Sequence, residues 1–270
     1  LSLTKIFFGS ELFAVGHSST LQDVKARGKL RCVVTTGLPG FAAPDANGVW
    51  RGFDWDFCRA TAAAVLGDAN AVDPITSTGK TRFTKLNAGE GDVLWRNTTI
   101  TFSRDVSVKL RFLGVNYYDG QGFMVNKSLG VNSAKELDGA SVCIQTGTTT
   151  ELNLADFFSS NNMSYEAVTI ETNDEARQNY EAGRCDIYTT DASGLASTRS
   201  SLPNPNDHMV LPEIISKEPL GPAVRQGDDA WADIITWVLN ATITAEELGV
   251  NSSNVDQMRN SNNPEIRRML

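Results

Sequence analysis

The sequence is poor in the residues that usually carry chemistry. It has only two histidines, His17 and His208, and four cysteines, no two of them in a Cys-x-x-Cys pair. A zinc site of thiolates and imidazoles is therefore not expected, and nothing else calls for a metal or a cofactor. The dinucleotide fingerprint G-x-G-x-x-G is absent, which removes that nucleotide reading. Basic residues are in deficit, 24 against 32 acidic for a net charge of −8, the wrong sign for a nucleic-acid or polyanion binder. No uninterrupted apolar run reaches the ~18 residues of a membrane-spanning helix.

What is present suits one large or two medium globular domains: 270 residues, 41% of them hydrophobic. Near the start, Lys5 precedes Ile6-Phe7-Phe8 and Leu12-Phe13-Ala14-Val15, followed by small residues from Gly16 to Thr20. This has the form of a secretory signal tail interrupted by Glu11, or of a disordered extension, so residues 1–19 are set aside from the fold. The cysteines fall two in the first part, Cys32 and Cys58, and two in the middle, Cys143 and Cys185. That distribution favours the pairs Cys32–Cys58 and Cys143–Cys185 in an oxidising compartment; four reduced thiols are the alternative.

Apolar patterning alternates between strand and helix periods. Strands are expected at 29–34, 71–75, 92–95, 141–144, 167–170 and 185–188. Helices are expected at 21–27, 52–66, 81–88, 149–159, 174–182, 192–199 and 229–248. The alternation occurs once in 21–112 and again in 139–188, which predicts an α/β protein of two lobes with mostly parallel sheets. Ligands of such sheets bind at the carboxyl ends of strands. The loops after Val34, Trp95, Ile144 and Thr189 are therefore expected to face one cleft.

Those loops hold a complementary set of groups. Thr148 and Glu151 have capping-box spacing at the start of a helix, whose free N–H groups favour an anion, and Gly147 permits close backbone approach. Asn97, Thr98 and Thr99 supply polar groups that Arg104 can fold back over, and guanidinium with hydroxyls suits a carboxylate. Asp191 follows a strand and precedes a helix, where it serves as N-cap or accepts from an ammonium. Phe41 lies in a Gly/Pro loop where an aromatic can cover a ligand or simply pack. Asp54 and Asp56 read as first-turn helix acids. A cationic end opposed to an anionic point matches the zwitterionic head of an amino acid.

The same residues resemble a family. The segments GLPGF (37–41), GFDWDFCRA (52–60), NTT (97–99) with Arg104, NYYDGQGFMV (116–125), QTGTTTELNLADF (145–157), GRCDIYTTD (183–191) and EIISKEPLGPAVRQGDD (213–229) are similar to the periplasmic amino-acid-binding proteins of ABC importers, in the general, polar L-amino-acid branch. The resemblance spans about residues 20–270. It implies a periplasmic-binding-protein-like fold: lobe 1 from 20–120 plus 214–270, lobe 2 from 121–213, and crossovers near 117–122 and 213–217.

It also implies a secreted monomer that closes on an L-amino acid and delivers it to permease subunits. Arg104 would take the carboxylate and Asp191 the ammonium, with donors from Asn97, Thr99, Thr148 and Thr149 and an aromatic cover from Phe41. Two departures stand out: Trp95 beside Asn97 would narrow the side-chain pocket, and the branch usually has residues beyond a position like Leu270. Sequons at Asn97, Asn126, Asn162, Asn240 and Asn251 carry no weight in so Asn- and Ser-rich a chain. The competing readings are an enzyme on this scaffold, such as a dehydratase or lyase with Asp191 as its acid–base group, and a ligand-binding sensor module.

Overall fold

A computed structural model of the chain describes residues 19–270. The segment read as a signal remnant, with His17, lies outside the described residues up to residue 18. In chain order the elements are α1 (Thr20–Arg27), β1 (Leu30–Thr35), β2 (Ala43–Pro44), β3 (Trp50–Arg51), α2 (Phe53–Leu66), β4 (Val72–Ser77), α3 (Arg82–Asn87), β5 (Val93–Leu94), α4 (Phe102–Val106), β6 (Leu110–Phe112) and β7 (Tyr117–Asp119). There follow β8 (Gln121–Asn126), β9 (Ala140–Gln145), α5 (Thr149–Ser160), β10 (Tyr165–Ile170), α6 (Asn173–Glu181), β11 (Ile187–Asp191), α7 (Ala192–Ser200) and β12 (His208–Val210). The chain closes with β13 (Glu218–Leu220), β14 (Ala223–Arg225), α8 (Asp229–Glu247), α9 (Val255–Met258) and α10 (Pro264–Met269).

Two five-stranded sheets result, in the orders β4-β1-β5-β14-β6 and β10-β9-β11-β8-β12. Each has a parallel half and an antiparallel half. β1 runs parallel to β4 and β5, and β9 parallel to β10 and β11. β14 is antiparallel to β5 and β6, and β8 to β11 and β12. The central parallel strands are covered on both faces, which is why their sequences read as unbroken apolar runs (Cys32-Val33-Val34, Val142-Cys143-Ile144). In the first lobe, Trp55, Phe57 and Ala62 of α2 pack with Trp231, Ile235, Val238 and Leu239 of α8; the latter recur at the three-or-four-residue spacing of one helical face. In the second, Phe123, Val142, Leu154 and Phe158 form one core and Met124, Tyr180, Tyr188 and Leu195 another, on opposite faces of the sheet.

The lobes are joined by a separate antiparallel pair. β7 leads out of the first lobe, β13 leads back, and the two pair with Glu218 opposite Asp119. The second crossover thus lies just beyond the expected stretch 213–217. The Pro/Gly-rich segment 216–225, where the apolar pattern predicts no strand, supplies two short ones. Both disulfides are formed, Cys32–Cys58 tying β1 to α2 and Cys143–Cys185 tying β9 to the segment entering β11, with Cα separations of 5.9 and 5.5 Å.

Trp95 corrects the expectation of a narrowed side-chain pocket. It is fully buried, stacked on Phe57 at 4.4 Å between ring centroids, and its Nε1 donates to Thr61 Oγ1 at 3.1 Å. Trp95 turns into the core beneath α2, so its bulk is a packing element of lobe 1.

Candidate functional site

Residues 96–104 follow β5 and form the lip of the first lobe. Thr101 caps the short α4, its Oγ1 accepting from the Arg104 N–H at 3.2 Å. This single turn brings the Arg104 guanidinium back over the loop, where Nη1 donates to the Thr99 carbonyl at 2.8 Å. Arg82, from α3, reaches the same loop: its Nη1 donates to Thr98 Oγ1 at 3.1 Å and to the Asn97 carbonyl at 3.3 Å. Both guanidinium carbons sit over the ring of Phe83, at 4.8 Å for Arg82 and 5.2 Å for Arg104.

Arg96 is a third buried guanidinium, set in the field of Asp54. Burial lowers all three arginines from their ordinary range. Arg96 and Arg104 fall only to about 10; Arg82 is lowered by burial and by Arg96 and Arg104 beside it, and all three guanidiniums stay cationic at neutral pH. Burial raises Asp54 to about 7, against the pull of the Asn97 N–H, of Arg96 and of the Asn116 side chain. The Nε atoms of Arg82 and Arg96, Asp54 Oδ2 and Asn97 Oδ1 are buried without a hydrogen-bond partner among the described residues.

The second lobe contributes the start of α5 and the end of β11. Gly147 adopts a left-handed φ of 70° and packs against Lys80 of the first lobe: a Cβ there would lie 2.9 Å from the Lys80 Cα. Thr148 is the N-cap, its Oγ1 accepting from the Glu151 N–H at 3.3 Å and donating to the Gln145 carbonyl at 2.7 Å. The first-turn N–H groups of α5 have no intrahelical acceptors, which makes them an anion cradle. Asp191 stands at the junction of β11 and α7 and makes no side-chain bond to the helix it begins. Burial, then the Asp119 and Glu218 carboxylates, push its carboxyl up to about 8, while Arg82 and Arg104 across the cleft pull it down.

Between the lobes, on β13, lies Glu218, buried and rich in partners. It accepts from Thr99 Oγ1, from Thr149 Oγ1 at 2.9 Å, from Asn153 Nδ2 at 2.7 Å and from Ser216 Oγ at 2.6 Å. A hydroxyl has one proton, so Thr99 and Thr149, while donating to Glu218, offer lone pairs to anything else in the cleft. The lobes also meet where Asn173 Nδ2 donates to Thr35 Oγ1 at 3.1 Å and Ser197 Oγ to the Pro39 carbonyl at 2.7 Å. At that edge Phe41 packs edge-on to Tyr117 and Phe53, and with Pro39, Ser193 and Ser197 lines a cavity of about 430 Å³.

Arg104, Thr99, Thr149 and Asp191 therefore share one electrostatic environment. Thr98 is fully buried beneath them and holds Arg82, Thr148 caps the start of α5, and Asn97 works through its backbone. Reading the sequence missed Arg82, Arg96 and Glu218 and took Asp54 for a simple helix acid. The one signal available was Arg96 itself, a charge closing the apolar run Val93-Leu94-Trp95.

Two α/β lobes on a pair of crossover strands, with guanidinium groups on one lip and a carboxylate on the other, define a two-lobed solute-binding protein. The chain belongs to the bacterial extracellular solute-binding proteins, family 3, whose profile matches residues 30–251. It is 60% identical to the glutamate/glutamine/aspartate/asparagine-binding protein BztA of Rhodobacter capsulatus, over 98% of this chain and 80% of that protein. It is 58% identical to the general L-amino acid-binding periplasmic protein AapJ of Rhizobium johnstonii, over 97% of this chain and 78% of the other. Among solved structures, an ABC transporter periplasmic binding protein from Brucella ovis with glutathione bound superposes with a TM-score of 0.91 at 55% identity, covering 94% of this chain and 80% of that one. The protein is thus an extracytoplasmic binding protein, not an enzyme, and its disulfides suit that compartment.

Proposed function

We propose that the cleft captures the zwitterionic head of an L-amino acid and that the loaded monomer delivers it to the permease of an ABC importer. The observation that carries this reading is Arg104 on one lobe and Asp191 on the other, coupled across the cleft. Arg104 and the first-turn N–H groups of α5, from Thr148 and Thr149 onward, receive the α-carboxylate. Asp191 receives the α-ammonium, helped by lone pairs on Thr99 and Thr149. Gly147 lets the lobes approach, Asn97 and Thr98 hold the arginine lip in shape, and Phe41 shields the edge.

A micromolar ligand needs about −8 kcal/mol, and charge-assisted bonds of roughly 1.5–3 kcal/mol each reach that order with two or three contacts and an excluded solvent. The relatives named for amino acids support the ligand class. Glutathione in the Brucella ovis structure is consistent with it, since its γ-glutamyl end carries the same head group.

The test is thermal unfolding of protein unfolded and refolded to strip bound ligand, screened against the twenty L-amino acids. Ligand at a hundred times its Kd adds about 2.7 kcal/mol of stability. Arg104→Ala should abolish that shift while the ligand-free melting curve stays cooperative. An Arg104→Ala protein that binds at wild-type affinity would overturn the assignment.

A further inference from the structure

The lip carries more positive charge than an amino-acid head requires. Arg104 meets the carboxylate of that head, and Arg96 faces Asp54. Arg82 is left over. Its Nη1 is held by two neutral oxygens, its Nε is buried with no partner, and among the described residues no carboxylate lies within ion-pair distance of it. A guanidinium taken out of water without a paired anion is destabilising unless something supplies one.

We propose that Arg82 is a specificity-determining residue that binds a second carboxylate on the ligand, so that the cleft selects amino acids with an acidic side chain over their neutral isosteres. This rests on the amino-acid reading above and deepens it. Three further features point the same way. Arg82 and Arg104 are anchored on adjacent residues of one loop and over one ring, so their guanidiniums lie within the span of a short dicarboxylate and its hydrogen bonds. Arg82 also lies in the field of the Asp191 and Glu218 carboxyls. And the cations Arg82, Arg96 and Arg104 confront Asp54 and Asp191, both shifted toward the neutral acid, and Glu218. A zwitterion leaves that imbalance in place; a ligand of net charge −1 reduces it. The planar fork of arginine suits a carboxylate bidentately, whereas an amide offers one acceptor and two unwelcome donors.

The experiment is calorimetric titration of wild type, Arg82→Met and Arg82→Lys with L-glutamate and L-glutamine. In wild type glutamate should bind more tightly than glutamine. In Arg82→Met that ratio of affinities should fall about tenfold or more, the scale of one lost charge-assisted bond. In Arg82→Lys, which keeps the charge and loses the fork, it should fall by less. An unchanged ratio in Arg82→Met, or a wild type that prefers glutamine, overturns the role of Arg82 while leaving the amino-acid reading intact. A wild type that binds neither these nor any other amino acid overturns the reading beneath it. Should Arg82→Met fail to fold by circular dichroism, Arg82→Lys carries the test, and an unchanged ratio there refutes the proposal.

Discussion

Raising the pH from 6 to 8 should tighten ligand binding, because Asp191 must lose a proton before it can receive an ammonium. Its carboxyl is held at about 8 in the empty protein, by burial and by Asp119 and Glu218, against an ordinary 3.8. The direction follows from proton counting. Between those values the folded chain keeps a proton that the unfolded chain has lost. The stability of the empty protein therefore falls as pH rises through this window, while the ligand-ready carboxylate becomes more populated. Each unit below about 8 is worth up to 1.36 kcal/mol, or tenfold in affinity, so the change from pH 6 to 8 amounts to about 50-fold once the curve flattens.

Calorimetry at pH 6, 7 and 8 in phosphate and in Tris measures both the affinity and the proton released, since the apparent enthalpy then depends on the buffer. A flat Kd with no buffer dependence would refute the idea that Asp191 ionises on binding. Asp54, raised to about 7, is the other group that titrates in this range. Asp54→Asn separates the two: a pH dependence that survives it belongs to Asp191, and one that vanishes belongs to Asp54.

The disulfide Cys143–Cys185 closes a separation of 42 residues; on chain entropy its loss in a Cys143→Ala/Cys185→Ala double variant should cost about 4 kcal/mol, read by urea unfolding. Trp95→Phe keeps the stack on Phe57 but leaves Thr61 without its donor. It should destabilise by about 1–3 kcal/mol without altering the ligand panel, and a shift in ligand size preference would place Trp95 in the pocket after all. Gly147→Ala meets the Lys80 backbone of the opposite lobe on top of a left-handed φ. The torsion costs about 1 kcal/mol in any state, but the clash arises only where the lobes meet, so ligand affinity should drop by more than the melting temperature suggests.

Much of the candidate site is readable in the sequence because it lies in local pattern. Capping spacing marked the start of α5, a polar loop after a strand marked Thr99 and Arg104, and a strand-to-helix junction marked Asp191. What stayed hidden is tertiary. Arg82 and Lys85 look alike on a short helix, and only folding buries the first and leaves the second at the surface, donating to the Thr76 carbonyl. Glu218 sits in Lys217-Glu218-Pro219, a solvated turn to any local rule, and becomes a four-fold acceptor because the crossover strand passes between the lobes. β14 was hidden by its length and by the prolines before it; an antiparallel strand of three residues has too few alternations to announce itself. Trp95 was misplaced because what buries it is tertiary as well: Phe57 and Thr61 both come from α2.

The position of β14 has a consequence for how the molecule is made. This strand lies inside the first sheet, between β5 and β6, yet follows the whole second lobe in the chain. As the polypeptide lengthens from its N-terminus, the strands through β6 appear with a vacant seam between two of them, and the second lobe can finish before that seam is filled. α8, which supplies Trp231 and Ile235 to the core over the same sheet, arrives later still. The first lobe to begin is thus the last to be completed. Until Ala223–Arg225 slots in, its open strand edges and uncovered apolar face remain exposed to other chains.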